Sequence, residues 1–185
     1  MTTERRAEIV AILEDSGRAF AEAAGRVPEE HAKWSPNPDS WCALQIAEHV
    51  AVTEHGMFRM LTTASPAEAS AENPKREESL AKMMLNRART APAPEQVLPT
   101  GRFTSMGEAL QKFADARART VQFAKETELD LFGLTVSHPF FGAVNGYEFL
   151  VTMAGHSRRH VAQLEDLQHP EMSTRHSAPG MELPG

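Results

Sequence analysis

The sequence contains little of what several protein classes require. Its 185 residues include a single cysteine, Cys42, which excludes an internal disulfide framework. No stretch reaches the roughly 18 consecutive apolar residues of a membrane-spanning helix. Acidic residues (25) outnumber Lys and Arg (19), which gives a net charge of −6 and no dominant basic patch. These absences argue against a disulfide scaffold, a membrane protein and a nucleic-acid-binding protein.

The composition is otherwise typical of a globular protein. Hydrophobic residues make up 41% and charged residues 24% of the chain, which is long enough for one domain with its own core. We expect this domain to span residues 1–170 and to be followed by a flexible tail over residues 171–185. The first six residues lack the apolar stretch of a signal peptide, so we expect a cytoplasmic protein.

Four segments carry apolar residues at the spacing of an amphipathic helix. The first covers residues 3–24, and the second follows a predicted N-cap at Ser40 and continues to about Thr63. The third begins at Ser105, which opens a capping box, and the fourth begins near Asn145. Because the connections are too long for simple hairpin loops, the pattern predicts an all-α four-helix bundle with long crossovers.

The longest connection lies between the second and third predicted helices. A loop of about 40 residues without secondary structure would be unusual in a compact domain. We therefore predict a short extra helix from Lys75 to Arg89, with Leu80, Met83 and Met84 facing inward.

Two histidines, His156 and His160, lie four residues apart in the fourth segment, on its apolar stripe. Residues at this spacing stand about 5–6 Å apart at their Cβ atoms, so one cation can bind both rings. The pattern also fits two core histidines that hydrogen-bond to carbonyls or glutamines. Catalytic zinc sites usually have three protein ligands, so a metal site would need a third side chain.

Periodicity ranks the candidates for this third ligand. His49 comes first because it lies on the apolar stripe of the second helix, and His55 comes second, about 240° further round that helix. His138 comes third, since it precedes a proline in a loop that could fold over the end of the bundle. The other histidines lie in loops, at a helix end or in the tail: His31, His169 and His176.

Several short motifs resemble those of the DinB-like (DinB/YfiT) superfamily, in order and in separation. They are Trp-Ser-Pro at 34–36, Ser-Trp-Cys-Ala-Leu-Gln-Ile-Ala-Glu-His at 40–49, His-Pro-Phe-Phe-Gly at 138–142, Glu-Phe-Leu at 148–150, and His156-x3-His160-x2-Gln163. The resemblance implies a four-helix bundle of up-up-down-down connectivity. It also implies a divalent metal, with zinc, nickel and iron not distinguished, held by His49, His156 and His160.

The resemblance leaves the reaction open. Some members are transferases or isomerases that use a low-molecular-weight thiol, and others resemble metal-dependent hydrolases. We therefore expect an enzyme acting on a small-molecule substrate, with thiol-dependent transfer first and hydrolysis second. The alternative is a non-catalytic stress-response protein in which the metal serves folding or assembly.

Residues near the predicted site each allow two interpretations. Gln163 could hydrogen-bond a ligand ring or bound water, or be an ordinary boundary residue. Thr53 could do the same or merely pack. Cys42, near a helix N-terminus, could be a thiolate, although a small buried hydrophobe is the more common role. Neither Glu48 nor Glu54 falls clearly on the His49 face, so no carboxylate is predicted as a general base.

Two surface features are also open from the sequence. Arg158 and Arg159 could meet an anionic thiol at a pocket mouth or form a solvated face. Met57, Met60 and Leu61 could form the face of a homodimer or belong to the core.

Overall fold

The computed structural model describes residues 1–68, 70–88 and 92–168. Within them the chain forms five α-helices: α1 (Thr3–Gly25), α2 (Ala43–Thr62), α3 (Pro74–Leu85), α4 (Met106–Glu126) and α5 (Gly146–Gln168). The four predicted long helices and the short crossover helix are thereby confirmed. In this part of the chain, none of the helices has the length and apolarity needed to cross a bilayer. The predicted tail, residues 171–185, lies outside the described residues.

The start of α2 differs from the prediction. Cys42, and not Ser40, is the N-cap, and its backbone N–H donates to Gln45 Oε1 at 2.9 Å. Ser40 Oγ donates instead to Asn37 Oδ1 at 2.9 Å, inside the preceding turn. Ser is a favourable residue in both settings, so sequence alone could not separate turn from cap.

Helix α1 packs between α4 and α5, and α2 packs against the same two helices from the other side. Helices α1 and α2 therefore lie on one diagonal of the bundle and α4 and α5 on the other, which explains the long connection within each of these pairs, whereas α2 and α4 are neighbours. Tyr147 contacts Glu8 near the beginnings of α5 and α1, and Arg26 contacts Glu165 near their ends. Helices α1 and α5 therefore run parallel.

The other two helices run in the opposite direction. Arg6, at the start of α1, donates to the carbonyl of Ala124 at the end of α4, so these two helices are antiparallel. Phe58 stacks edge-on against Phe123 near the ends of α2 and α4, which run parallel. The four-helix bundle is confirmed, and its helices run up, down, down and up along the chain, in place of the expected up-up-down-down order.

A small antiparallel sheet closes one end of the bundle, and the sequence patterns did not predict it. Its strands are β1 (Ser65–Pro66), β2 (Leu134–His138) and β3 (Gly142–Asn145), in that order across the sheet. In β2, alternate residues are buried, the pattern of a strand with one face on the core. The alternation of apolar and polar residues over 134–137 is the sequence signal that could have predicted this strand.

The apolar core is divided into two clusters. One lies at the sheet end of the bundle and includes Leu13, Met57 and Phe149, and the other, at the opposite end, includes Phe20 and Phe113. Five polar residues lie between these clusters along all four long helices, and we call them the polar layer: Ser16, Glu54, Arg117, Thr120 and Ser157. The layer is at most 5% exposed at every position.

Hydrogen bonds connect the polar layer throughout. The Arg117 guanidinium binds both oxygens of Glu54, with N–O distances of 2.8 and 2.9 Å. It also donates to Ser16 Oγ on α1 and Ser157 Oγ on α5. Thr120 Oγ1 donates to Glu54 Oε1 at 2.9 Å. One arginine therefore contacts all three other long helices of the bundle.

The predicted burial of other apolar side chains is confirmed at some positions and wrong at others. Leu80 and Met84 of α3 are buried as expected, whereas Met83 is 41% exposed, so its inward prediction is wrong. Met57 and Leu61 belong to the core, and only Met60 reaches the surface. A homodimer stays a prediction, and these methionines and leucine no longer outline a face for it.

Candidate metal centre

Three histidines meet in the groove between α2 and α5. Because these helices are antiparallel, His49 in the first half of α2 lies opposite His156 and His160, which lie at and just beyond the middle of α5. The Nε2 atom of His156 lies 3.1 Å from Nε2 of His49 and 3.2 Å from Nε2 of His160. His49 and His160 are only 5% and 6% exposed. The structure thus brings together all three residues of the predicted site.

Hydrogen bonds at the far side of two rings decide where their lone pairs point. His49 Nδ1 lies 2.8 Å from the carbonyl oxygen of Val97, which can only accept, so Nδ1 carries the proton. His160 Nδ1 likewise donates to Gln163 Oε1 at 2.8 Å. Both rings therefore present an unprotonated Nε2 to the centre of the cluster.

The three nitrogens cannot satisfy one another. His156 Nε2 carries at most one proton, so it can donate to His49 or to His160, and the other short contact is between two lone pairs. Among the described residues, no carboxylate forms an ion pair with any of the three rings. Converging acceptors with at most one donor among them are the arrangement that a cation resolves.

Burial keeps all three rings neutral. Burial lowers the pKa of His49, and it lowers the pKa of His160 to about 3, with the neighbouring His49 adding to the effect. The pKa of His156 is also lowered well below its usual value, first by burial and then by the other two histidines. Neutral imidazole is the form that binds metals, so the rings are ready for binding at neutral pH.

The spacing also fits a metal. Tetrahedral zinc with nitrogen ligands at about 2.0–2.1 Å places those nitrogens about 3.3 Å apart. The observed nitrogen separations of 3.1 and 3.2 Å are close to this value, and the candidate ligand atoms all lie within 4.8 Å of one another. The donor set therefore fits a divalent cation, whose presence stays a prediction.

The competing histidines lie elsewhere. His55, on α2, and His31 are exposed, and His169 and His176 lie outside the described residues. His138 is buried in β2, where its ring stacks on Phe141 with centroids 4.6 Å apart. The ranking of His49 as the partner for the α5 pair agrees with this geometry.

Neighbouring residues support the histidines. The hydrogen-bonding interpretation of Gln163 is confirmed by its contact with His160. Trp41 lies beside His49, with ring centroids 4.9 Å apart. Thr53, one turn after His49, has a buried Oγ1 with no protein partner. Sequence reasoning missed the Val97 carbonyl and Trp41, because neither backbone acceptors nor ring contacts leave a signal in periodicity.

The nearby carboxylates are both occupied. Glu54 belongs to the polar layer and is bound by Arg117 and Thr120. Glu48 faces away from the cluster and accepts four hydrogen bonds from residues 100–102. Each oxygen of both carboxylates therefore already accepts at least one hydrogen bond from the protein. Cys42 is buried at the N-cap of α2.

The two arginines that precede His160 are engaged with protein groups. Arg158 pairs with Asp15 on α1. Arg159 donates to the carbonyl oxygens of Met84 and Asn86, at the end of α3. Burial lowers the pKa of Arg159, with a contribution from the nearby Arg87.

Comparison with known proteins agrees with this architecture. A model of the DinB superfamily matches residues 12–164, most of the chain. The chain belongs to the DinB superfamily. A solved structure of YfiT from Bacillus subtilis is also similar, with a TM-score of 0.58 and 16% sequence identity over 93% of this chain and 90% of that one. YfiT is described as "a probable metal-dependent hydrolase with an unusual four-helix bundle topology". No curated protein matches the chain. This DinB-superfamily protein thus shares its fold with YfiT.

Proposed function

We propose that this protein is a metal-dependent enzyme in which His49, His156 and His160 hold a divalent cation. The observation that supports it is the convergence of three neutral Nε2 atoms, two of them on buried rings, whose lone pairs have no adequate set of protein donors. Three neutral ligands leave the charge of the cation undiminished and leave coordination positions for a small molecule.

The surrounding residues favour a particular kind of nucleophile. A cation in such a site acts as a Lewis acid and lowers the pKa of a thiol or of water. A thiol, with an ordinary pKa of about 8.5, needs a smaller shift than water at about 15.7 to ionise at neutral pH. Because Glu48 and Glu54 are both fully bonded elsewhere, no carboxylate from this pair assists. Thiol-dependent transfer or isomerisation with a low-molecular-weight thiol is therefore our first proposal.

Hydrolysis is the second candidate, and a separate observation favours it. The chain shares its fold with YfiT, which is described as a probable metal-dependent hydrolase. Assays with a panel of small thiols and electrophiles, beside a panel of esters and amides, distinguish the two reactions. Turnover that requires a thiol supports the first proposal, and thiol-independent cleavage supports the second.

Metal content tests the site itself. The protein purified without chelator should contain about one zinc, nickel or iron per chain by elemental analysis. The His156→Ala variant should lose it, because only two ligands remain. His55→Ala is the matched control, since His55 lies on the same helix as His49 but is exposed. A metal-free wild type, or equal metal in wild type and His156→Ala, contradicts the proposal.

A catalytic role needs a further test. His49→Ala should abolish turnover while circular dichroism shows an intact helical fold. If the wild type binds metal, shows no turnover on either panel and unfolds on chelation, the metal serves folding, as in a non-catalytic stress-response protein.

A further inference from the structure

Glu48, the residue before His49, has an unusually complete set of partners. Its side chain is 1% exposed and holds the backbone N–H groups of three successive residues. Thr100 donates to Oε1 at 2.7 Å, and Gly101 and Arg102 donate to Oε2 at 3.0 and 3.1 Å. The guanidinium of Arg102 adds a fourth bond, at 2.9 Å. Burial alone would raise the pKa of Glu48, but these donors lower it overall, so the carboxylate stays ionised.

The same short segment also holds His49. The carbonyl of Val97 accepts the Nδ1–H of His49 at 2.8 Å, and Arg102 Nη1 donates to the carbonyl of Leu98 at 2.8 Å. Residues 97–102, which we call the clamp segment, are thus fastened at one end to His49 and at the other to Glu48. Two adjacent residues of α2 therefore bind the two ends of one segment.

The shape of the clamp segment depends on Gly101. Its φ of +78° lies in the left-handed region, where a Cβ atom is strained, although no other atom lies within 4 Å of that position. This turn lets the N–H groups of residues 100–102 point together at one carboxylate. Without the carboxylate, three N–H groups would lose their acceptor, and the segment that carries the Val97 carbonyl would lose its anchor.

We propose that Glu48 is a positioning residue for the metal site: it anchors the clamp segment, whose Val97 carbonyl keeps His49 oriented with Nε2 toward the cation. This role rests on the proposed metal site. Groups that orient a ligating histidine through its second nitrogen typically change metal affinity by about 10–100-fold when lost. By linkage, a cation at His49 should in turn stabilise the hydrogen bonds of the clamp segment.

The test compares Glu48→Gln with Glu148→Gln in the full-length protein. Glu148 is a matched control because it is 4% exposed, pairs with Arg76 at 2.9 Å and accepts a backbone N–H at 3.0 Å. Zinc affinity is measured by competition with a chromophoric chelator, and amide hydrogen exchange is followed at residues 100–102. Glu48→Gln should bind zinc about 10–100-fold more weakly, whereas Glu148→Gln should retain wild-type affinity at a comparable loss of stability.

Hydrogen exchange gives a second, independent result. Zinc should slow exchange at Thr100, Gly101 and Arg102 in the wild type, and this protection should be lost in Glu48→Gln. Equal zinc affinities in the two glutamine variants, or zinc binding that leaves these amides unchanged, overturn the positioning role. Zinc that fails to bind the wild type overturns the metal site itself, so the two failures are distinguishable.

If Glu48→Gln does not fold, Gly101→Ala replaces it. This variant strains the turn at φ +78° and leaves both the carboxylate and the histidines intact. It should weaken zinc binding several-fold and speed exchange at residues 100–102, and wild-type values for both overturn the proposal.

Discussion

The polar layer and the histidine cluster both connect α2 with α5 inside the bundle, and they differ in how their polar atoms find partners. In the polar layer, the Arg117 guanidinium and the Glu54 carboxylate have opposite charges and bind each other through two bonds. In the histidine cluster, neutral nitrogens of the same kind lie 3.1 and 3.2 Å apart. The first set is complete within the protein, and the second, on our proposal, is completed by a cation.

This difference separates stability from function. A fully bonded buried ion pair fixes how the helices fit together, and removing one partner leaves an uncompensated charge. A set of converging lone pairs adds little to the apo fold, and on our proposal it serves to bind a cation. We therefore expect substitutions in the two regions to affect different measurements.

Breaking the polar layer should have the largest effect. Glu54→Ala leaves the Arg117 guanidinium buried without its counter-charge and should lower the free energy of unfolding by about 3–5 kcal/mol. Urea denaturation of the apo protein measures this loss. The double variant Glu54→Leu with Arg117→Met is the control and should recover most of the stability, because no charge then remains buried. Wild-type stability in Glu54→Ala would show that the Arg117 guanidinium does not depend on Glu54 as its counter-charge.

Zinc should stabilise the protein only through the histidine cluster. At a free concentration about 100 times its Kd, zinc should raise the free energy of unfolding of the wild type by about 2.7 kcal/mol. His55→Ala should respond like the wild type, and His156→Ala should not respond. Thermal unfolding with and without zinc measures the difference. Equal stabilisation of His156→Ala would place the cation elsewhere.

The support that Gln163 gives to His160 should have a smaller effect. Gln163→Leu removes the acceptor at 2.8 Å from His160 Nδ1, so the ring loses its preferred tautomer and orientation. Zinc affinity should fall about tenfold, and Gln163→Glu, which keeps an acceptor, should bind zinc at least as well as the wild type. Chelator competition measures both, and an unchanged affinity in Gln163→Leu would contradict this role.

The smallest expected effect concerns His138, a buried histidine outside the cluster. Burial lowers its pKa to about 4, below the unfolded value of about 6.5. As pH falls, His138 is therefore protonated in the unfolded state before it is protonated in the folded state. The contribution of neutral His138 to the free energy of unfolding is fully present above about pH 6.5 and is lost as pH falls through 4.

His138→Asn removes this titration while keeping an acceptor for the Phe140 N–H, which now donates to His138 Nδ1. Between pH 7 and pH 4.5, the free energy of unfolding should fall further in the apo wild type than in the apo variant. The extra loss corresponds to at most one additional proton bound by the unfolded state, or about 1.4 kcal/mol per pH unit. Urea denaturation at both pH values measures it. Parallel losses would show that His138 does not titrate in this range.

Features within one helix were accessible from sequence. The α5 pair, its apolar stripe and the acceptor Gln163 all lie within a few residues of one another, so helical periodicity places them together. Periodicity ranked His49 above His55 and His138 as the third ligand without excluding either. The choice of His49 therefore depended on the resemblance of residues 40–49 to a family motif.

Features that join distant parts of the chain were not accessible. Glu54 and Arg117 are 63 positions apart, and His49 and Val97 are 48 apart. A carboxylate and an arginine on two helices look like ordinary surface charges until the packing shows that both face the interior. The pairing of β2 with β3 was also missed, because it depends on how the two segments pack against the core.

The helices, their approximate ends and the two histidines on one buried face could be inferred from the order of residues, because they follow from the 3.6-residue repeat of a single helix. Packing between helices determines which third ring meets the pair, which tautomers the rings hold and which carboxylates are already hydrogen-bonded. Those properties depend on the antiparallel packing of α2 on α5 and on the clamp segment, where hydrogen-bond partners come from opposite parts of the chain.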